Sequence, residues 1–454
     1  MSPARVTAGT FVALILIVTF LFTLPASSAK PEGISFVDAL FVATSAVCVT
    51  GLSPIDISSD FSGFGQFLIL ASMQLGGLGL MTFTTIFYAA LGRRLPILNN
   101  ILIQSTFHHS PTHQVKHLLR YIATFTLINE AIGALLLFVY WTFTGKFETT
   151  WETAKHSLFL SVSAFTNGGF TLFSDSLVGF QEDFFVMIVI GILIFMGGIG
   201  FLVAFDITAF ARRKIRGLQH RNFGLSVQTK LTLVASAVLI VIGTAVLFLY
   251  ERTGALANLE HGEGLLNAFF LTMTTRTAGF NSLDMQSLHG SSILLLVVLM
   301  FIGAGAGSTG GGIKIGTVAL IFAYMIARLR GKQSLHLWSR TIPKASIDKA
   351  IAVAAIFGLL AVVNTLLLMY SETYRLEGLE SHAKFLPILF ESVSALCTVG
   401  ISMDFTAELS SIGKIIVAIS MFVGRLSPLG LAFAITSREK KEHFRYSEEN
   451  IIIG

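Results

Sequence analysis

SAVCVTGL (45–52) returns as SAFTNGGF (163–170), MTTRTAGF (273–280) and SALCTVGI (394–401). Each copy joins small residues to a closing glycine-apolar step, at Gly51, Gly169, Gly279 and Gly400. The four glycines stand 118, 110 and 121 residues apart. Such recurrence in one polypeptide implies four quasi-equivalent units around one axis. An axis ringed by four glycine loops can turn backbone carbonyls toward a single ion.

The surrounding sequence supplies the setting. Of 454 residues, 53% are apolar and only 13% charged, about half the charged share of soluble domains. The chain therefore reads as an integral membrane protein. Arg5, the apolar run 9–24 and PASSA (25–29) mimic a cleaved leader. Losing that run would strip the first unit of its opening helix, so it is read as a retained span. Cys48 and Cys397 each stand three residues before a repeat glycine. They read as small buried thiols rather than as a disulfide or metal site.

Each unit contains three elements. A long apolar segment opens it: 9–24, 118–143, 229–250 and 349–370. A shorter one ends at the glycine pattern: 36–48, 153–165, 264–275 and 383–396. A long one closes it: 65–91, 184–211, 291–327 and 413–436. Long segments can cross a hydrocarbon core of roughly 30 Å, whereas the short ones reach about halfway. The short segments also carry Asp38, His156, Asn267 and Glu391. Polar half-spans are expected as re-entrant pore helices shielded by protein.

The units accordingly run 1–91, 92–211 with its preceding cytoplasmic link, 212–327, and 328–436, followed by a cytoplasmic tail at 437–454. The third has a broken inner helix with a loop at 303–317. The expected fold is an all-α membrane protein with four parallel helix–pore-loop–helix repeats around one pseudo-fourfold ion pore.

Charge gives the orientation. The N-terminus and the links between units hold 21 of the 31 Lys and Arg, while 17 of the 26 acids lie in loops beside the short segments. By the positive-inside rule the links and both termini are cytoplasmic and the glycine loops open outward. All four units then share one orientation, unlike the inverted repeats of many carriers.

A dehydrated cation needs oxygens in place of its water, and turning successive carbonyls to one axis favours glycine. The lining is assigned to the last three residues before each apolar step. These are Val49, Thr50 and Gly51; Asn167, Gly168 and Gly169; Thr277, Ala278 and Gly279; and Thr398, Val399 and Gly400. One glycine after a short helix would be an ordinary C-cap, but four in register are not.

With RTAGFNS (276–282), SAFTNGGFTLFSDS (163–176) and GSTGGGIK (307–314), this pattern resembles the Trk/Ktr/HKT superfamily of K+ transporters. It is most similar to the bacterial Ktr membrane subunits, because Trk-type subunits have extra helices before the first repeat and because the ending at Gly454 fits. The resemblance implies channel-like K+ translocation. Glycine at all four filter positions goes with K+ selectivity, and Na+ is the second candidate ion. It further implies a homodimer in the cell's inner (plasma) membrane, surrounded by lipid, with the C-terminus at the dimer interface. A separate, KtrA-like cytosolic nucleotide-binding ring is the expected regulator. This chain carries no dinucleotide fingerprint, so no nucleotide is expected on it, and nothing points to nucleic acid.

A second register lies in the closing segments: Gly76-Gly77, Gly197-Gly198, Gly303-Ala304 and Gly424-Arg425. Close helix approach explains the first two pairs. The third closing segment differs. As one helix, its 37 residues would reach about 55 Å, and GAGAGSTGGGIKIGT (303–317) holds seven glycines in 15 residues. Each interior glycine costs roughly 1 kcal/mol relative to Ala, so the helix should break there. A phosphate-binding loop is excluded, since Lys314 follows Ile313 and no strand precedes it. The superfamily resemblance implies an intramembrane gating loop here, formed by Gly305, Ala306, Gly307, Ser308, Thr309, Gly310, Gly311, Gly312 and Lys314.

Arg425 falls mid-span, roughly 17 Å from either helix end. It should face the path or a partner and is expected to meet that loop. Arg276 is expected in a buried ion pair, with Glu391 and Asp38 as candidate partners. Glu130 has no assigned role. HHSPTHQVKH (108–117) reads as a solvated loop rather than a metal site. No paired acids or His-metal set supports an intramembrane hydrolase, so the chain reads as a transporter and not an enzyme. The alternative mechanism is an obligatorily coupled Na+/K+ or H+/K+ symporter.

Overall fold

A computed structural model describes residues 3–78, 111–215, 217, 224–374 and 379–426. Among them, opening, short and closing helices follow one another four times. The opening helices are Pro3–Phe22, Pro111–Thr144, Val227–Glu251 and Lys344–Thr373. All four are long and apolar enough to cross a membrane. They leave Leu16, Phe20, Leu135, Val241, Leu359 and Leu366 exposed along their outer faces. Lipid solvates such side chains as well as a protein core does. Among the described residues the chain is almost entirely helical, an α-helical membrane protein.

The short helices are Phe36–Cys48, Thr150–Thr166, His261–Thr274 and Phe385–Leu396. Their starts are encoded locally. Ser35 accepts from the Asp38 N–H and Thr149 from the Glu152 N–H, and Glu260 with Glu263 closes a capping box. The first two end on Val49 and Asn167 in left-handed conformation.

Packing closes the circle. The second, third and fourth short helices each touch the closing helix of the preceding unit, and the first touches that of the fourth. Apolar cores follow the same circuit. Phe41 and Met421 share one between units one and four, Phe165 and Phe270 one between two and three, and Leu296 and Phe390 one between three and four.

The closing helices begin Gly63–Gly77, Phe184–Gly198, Gly290–Phe301 and Ser411–Leu426. Gly76, Gly197 and Gly424 each abut a carbonyl in the last turn of their own short helix, at Val47, Phe165 and Leu396, where a Cβ would overlap it. Close approach therefore explains these glycines.

Several expectations are corrected. The second closing segment, read as one span, breaks after Gly198 and resumes as Phe201–Ile215 at an angle of 98°. Gly200 lies at the break with φ +97°, a conformation a helix cannot continue. In unit three the helix resumes at Ile315, so the irregular loop is 302–314, shorter than 303–317. Gly316 is carried within the new helix. The second half of HHSPTHQVKH is helical from Pro111, not a loop, and His108 and His109 lie outside the described residues. A two-stranded hairpin, His336–Leu337 with Arg340–Thr341, occupies the third link. Its turn residues Trp338 and Ser339 both have positive φ, as a tight hairpin turn requires. The closing segments beyond 78 and 426, Arg216, the 437–454 tail and its Ile451–Ile453 end lie outside the described residues.

Candidate functional site

The four glycine loops meet. A Cβ on Gly51 would stand 2.7 Å from the Gly168 oxygen and 2.9 Å from Gly169 Cα. On Gly169 it would stand 2.9 Å from Gly279 Cα and 3.0 Å from the Ala278 oxygen. On Gly279 it would meet the Val399 oxygen at 2.8 Å and the Thr50 oxygen at 3.2 Å, and on Gly400 it would overlap the Thr50 oxygen. The carbonyls of Thr50, Gly168, Ala278 and Val399, the middle residue of each triad, thus all lie at this ring.

Local conformation explains why. In every triad the first and third residues have positive φ: Val49 and Gly51, Asn167 and Gly169, Thr277 and Gly279, Thr398 and Gly400. Alternation of positive and negative φ turns successive N–H groups to one side and carbonyls to the other. The N–H groups are drawn back to the short helix. Thr50 donates to the Ser45 carbonyl at 2.8 Å and Gly51 to Ser45 Oγ at 3.0 Å. Val399 and Gly400 use Ser394 in the same way, at 2.8 and 3.1 Å. Gly168 donates to the Ser163 carbonyl at 2.7 Å. Unit three shifts by one residue, with Ala278 on the Thr274 carbonyl and Phe280 on Thr274 Oγ1 at 2.7 Å. Donors are consumed behind the loops and acceptors are left in front. The C-terminal ends of the short helices add partial negative charge. Such a ring can replace the hydration shell of a bare cation.

Above the ring opens a vestibule of about 300 Å³ lined by all four glycines and by Asp56, Ser174, Ser402 and Thr406. Burial alone would raise the Asp56 carboxyl. Hydrogen bonds from Ser174, Ser58 and the Ser58 and Ser59 N–H groups instead hold it below its ordinary range, so the vestibule keeps a negative charge that attracts cations. Glu391 is fully buried behind the wall and accepts from Ser402 Oγ at 2.7 Å and Thr406 Oγ1 at 2.6 Å.

Below the ring lies the unit-three loop. Gly310 presses on Thr277 Oγ1 and Gly311 on Thr398 Oγ1, the first residues of two triads, and a Cβ at either glycine would overlap them. The loop closes at its base through Gly303 N–H to the Ile313 carbonyl and Ile315 N–H to the Ala304 carbonyl. Lys314 Nζ donates to the Gly310 carbonyl at 2.6 Å. Arg425, 8% exposed, donates to the Thr309 carbonyl from one guanidinium nitrogen and to the Gly76 carbonyl from another. One side chain of unit four therefore joins the loop of unit three to the closing helix of unit one.

Among the described residues the expected Arg276 ion pair is not formed. Arg276 donates to Ser236 Oγ at 2.9 Å, while Asp38 pairs with Lys414 at 2.6 Å and Glu391 braces the vestibule. Charge type alone could not choose between partners. Glu130 accepts from Gln74 Nε2 at 3.0 Å, a polar contact between units one and two. Cys48 and Cys397 are free and buried. Sequence reading passed over Ser45 and Ser394, although a hydroxyl six residues before a repeat glycine is visible in both copies. It also passed over Gly200, visible in MGGIGF (196–201).

A family model described as TrkH, cation transport protein, matches residues 5–444. The chain is 35% identical to the Ktr system potassium uptake protein B of Vibrio alginolyticus, over 99% of this chain and 94% of that protein. It is 36% identical to the Bacillus subtilis protein of the same description, over 100% and 97%. Against the potassium/sodium uptake protein NtpJ of Enterococcus hirae it is 33% identical, over 100% and 98%. Its fold resembles the crystal structure of the potassium transporter TrkH from Vibrio parahaemolyticus, with a TM-score of 0.70 at 19% identity, covering 95% of this chain and 85% of that one.

Proposed function

Because this chain belongs to the TrkH family of cation transport proteins, we propose that it conducts K+ down its electrochemical gradient through the ring of glycine-loop carbonyls. It is the membrane component of a potassium uptake transporter of Ktr/TrkH type, and not an enzyme. The observation that supports conduction is the convergence of the Thr50, Gly168, Ala278 and Val399 carbonyls. The four triads act as the filter, and the loop held by Lys314 and Arg425 acts as a gate directly beneath it. Ions enter from the vestibule at Asp56.

Flux into liposomes tests the mechanism. With a K+ gradient alone, and neither Na+ nor a pH gradient, a conducting path passes K+ at a rate set by that gradient. An obligatory symporter of K+ with Na+ or H+ does not, and strict dependence on the second ion replaces the present reading.

The regulator in this reading is a separate cytosolic nucleotide-binding ring. The three inter-unit links carry 16 Lys and Arg, a basic face suited to an acidic partner surface. Arg212, Arg213 and Lys214 end the helix Phe201–Ile215 and are exposed. Neutralising them together with Arg216 should weaken ring binding at least several-fold at low salt and flatten its salt dependence. Titration of the quadruple variant with purified ring protein checks this, and unchanged affinity moves the docking site elsewhere.

The assembly in this reading is a homodimer held in part by the apolar run Ile451–Ile453, which water solvates poorly. Deleting 450–454 should shift light scattering in detergent from dimer toward monomer. A dimer that persists, or a monomeric parent protein, refutes it.

A further inference from the structure

The break in the second closing helix lies beside the loop of the third unit, more than 100 residues away in sequence. In an unbroken helix the Gly197 and Gly198 carbonyls would accept from N–H groups four residues on. The break at Ile199 and Gly200 removes those donors. The loop supplies replacements: Gly305 N–H donates to the Gly198 carbonyl at 2.8 Å and Thr309 N–H reaches the Gly197 carbonyl at 3.4 Å. In return, the Phe201 N–H, the first of the resumed helix and without an intrahelical acceptor, donates to the Gly307 carbonyl at 3.0 Å. The fit is close. A Cβ on Gly200 would stand 2.5 Å from the Ala306 oxygen, and one on Gly305 would stand 2.7 Å from the Ile199 carbonyl carbon.

At membrane depth, irregular backbone persists only where it is buried in protein or lines water, and these freed groups are met by protein. Two interrupted helices here satisfy one another, so neither can rearrange alone. We infer that the Gly198–Phe201 break is the seat of the loop, with Phe201 and Gly200 as positioning residues for the gate. This rests on the proposed gate and extends it to unit two. The seat continues without interruption into the helix Phe201–Ile215, whose last turn carries Arg212, Arg213 and Lys214. That helix is anchored to unit three by Asp206, which accepts from the Ser226 N–H at 2.9 Å and Thr229 Oγ1 at 2.6 Å. A displacement of the helix at the cytoplasmic face would move the Phe201 N–H, and with it Gly307.

The test separates one backbone hydrogen bond from everything else. Phe201 is the first residue of its helix, the position where proline is best accommodated, and the substitution removes its N–H along with the ring. Phe201→Ala removes the same ring but keeps the N–H. In liposomes containing the full chain and no ring protein, Phe201→Pro should pass K+ several-fold faster than Phe201→Ala, with equal preference for K+ over Na+. When residues 306–312 are deleted, the two variants should pass K+ equally. If deletion raises flux but the two variants match in the intact chain, the seat is wrong and the gate stands. If deletion itself fails to raise flux, the gate reading falls.

A second experiment does not depend on proline. A Cβ at Gly307 lies 3.8 Å from Leu202 Cγ, within reach of an engineered disulfide. Oxidising Leu202→Cys/Gly307→Cys with copper phenanthroline should cut ring-activated flux severalfold, and reduction should restore it. Failure of the bond to form, or flux indifferent to it, overturns the seat.

Discussion

Gly51→Ser is expected to reduce the preference for K+ over Na+ by about tenfold or more while leaving the protein folded in the membrane. Gly51 has φ +102°, and its new Cβ would stand 2.7 Å from the Gly168 oxygen and 2.9 Å from Gly169 Cα. Both are backbone atoms, which cannot swing aside as a flexible side chain would. The left-handed strain alone is worth about 1–3 kcal/mol, and 1.4 kcal/mol is a factor of ten in an equilibrium. Relief must come from rotating the first-unit triad, which turns the Thr50 carbonyl away from Gly279 and Gly400. Selectivity suffers before stability because the helices around the ring need not move. The measurement is K+ and Na+ uptake in cells lacking their own K+ uptake systems, normalised to protein in the membrane. Unchanged selectivity in a well-expressed variant would remove the ion contacts from this ring.

The second large effect concerns the gate. Arg425→Ala should raise K+ flux without the ring protein by roughly tenfold, and deletion of 306–312 should do at least as much. Hydrogen bonds from a charged donor contribute about 1.5–3 kcal/mol each. Arg425 makes two, to Thr309 and Gly76. Losing even half of that from the shut arrangement shifts a two-state equilibrium by at least about a factor of ten.

The double variant should add little to either single change, because both act on one contact. Arg425→Lys keeps the charge but cannot span two carbonyls with a planar fork, so it should fall between Ala and the parent protein. Selectivity should survive in all of them. Initial uptake rates decide the matter. Lower flux after deletion in folded protein makes the loop a support rather than a gate, and simple additivity separates Arg425 from the loop.

Much of this arrangement is legible in linear sequence, and for identifiable reasons. Segment length and hydropathy are local properties, so the short helices fall within a few residues of their expected bounds. Glycine register is also local. The four repeat glycines mark positions where left-handed backbone is needed, and the structure gives all four a positive φ. The run 303–317 announces a break because seven glycines cannot sustain a helix. Arg425 announces a partner because a lone charge at membrane depth must have one, and the Thr309 carbonyl is where it goes.

What sequence could not supply is the choice among partners. Arg276 needed a polar neighbour, but only the packed bundle brings Ser236 to it and sends Asp38 to Lys414 and Glu391 to Ser402 and Thr406. GGIG (197–200) reads equally well as close packing in an intact helix or as a break. The deciding groups are the N–H donors of Gly305 and Thr309, more than a hundred residues downstream. By itself, then, the sequence determined the approximate bounds of the short helices, the register of the repeat glycines and the weak backbone within 303–317, since each follows from a residue and its near neighbours. Tertiary structure alone decided which weak points face one another. A freed carbonyl accepts from whichever donor the assembled fold brings within hydrogen-bond reach, and nothing in the local chain encodes that approach.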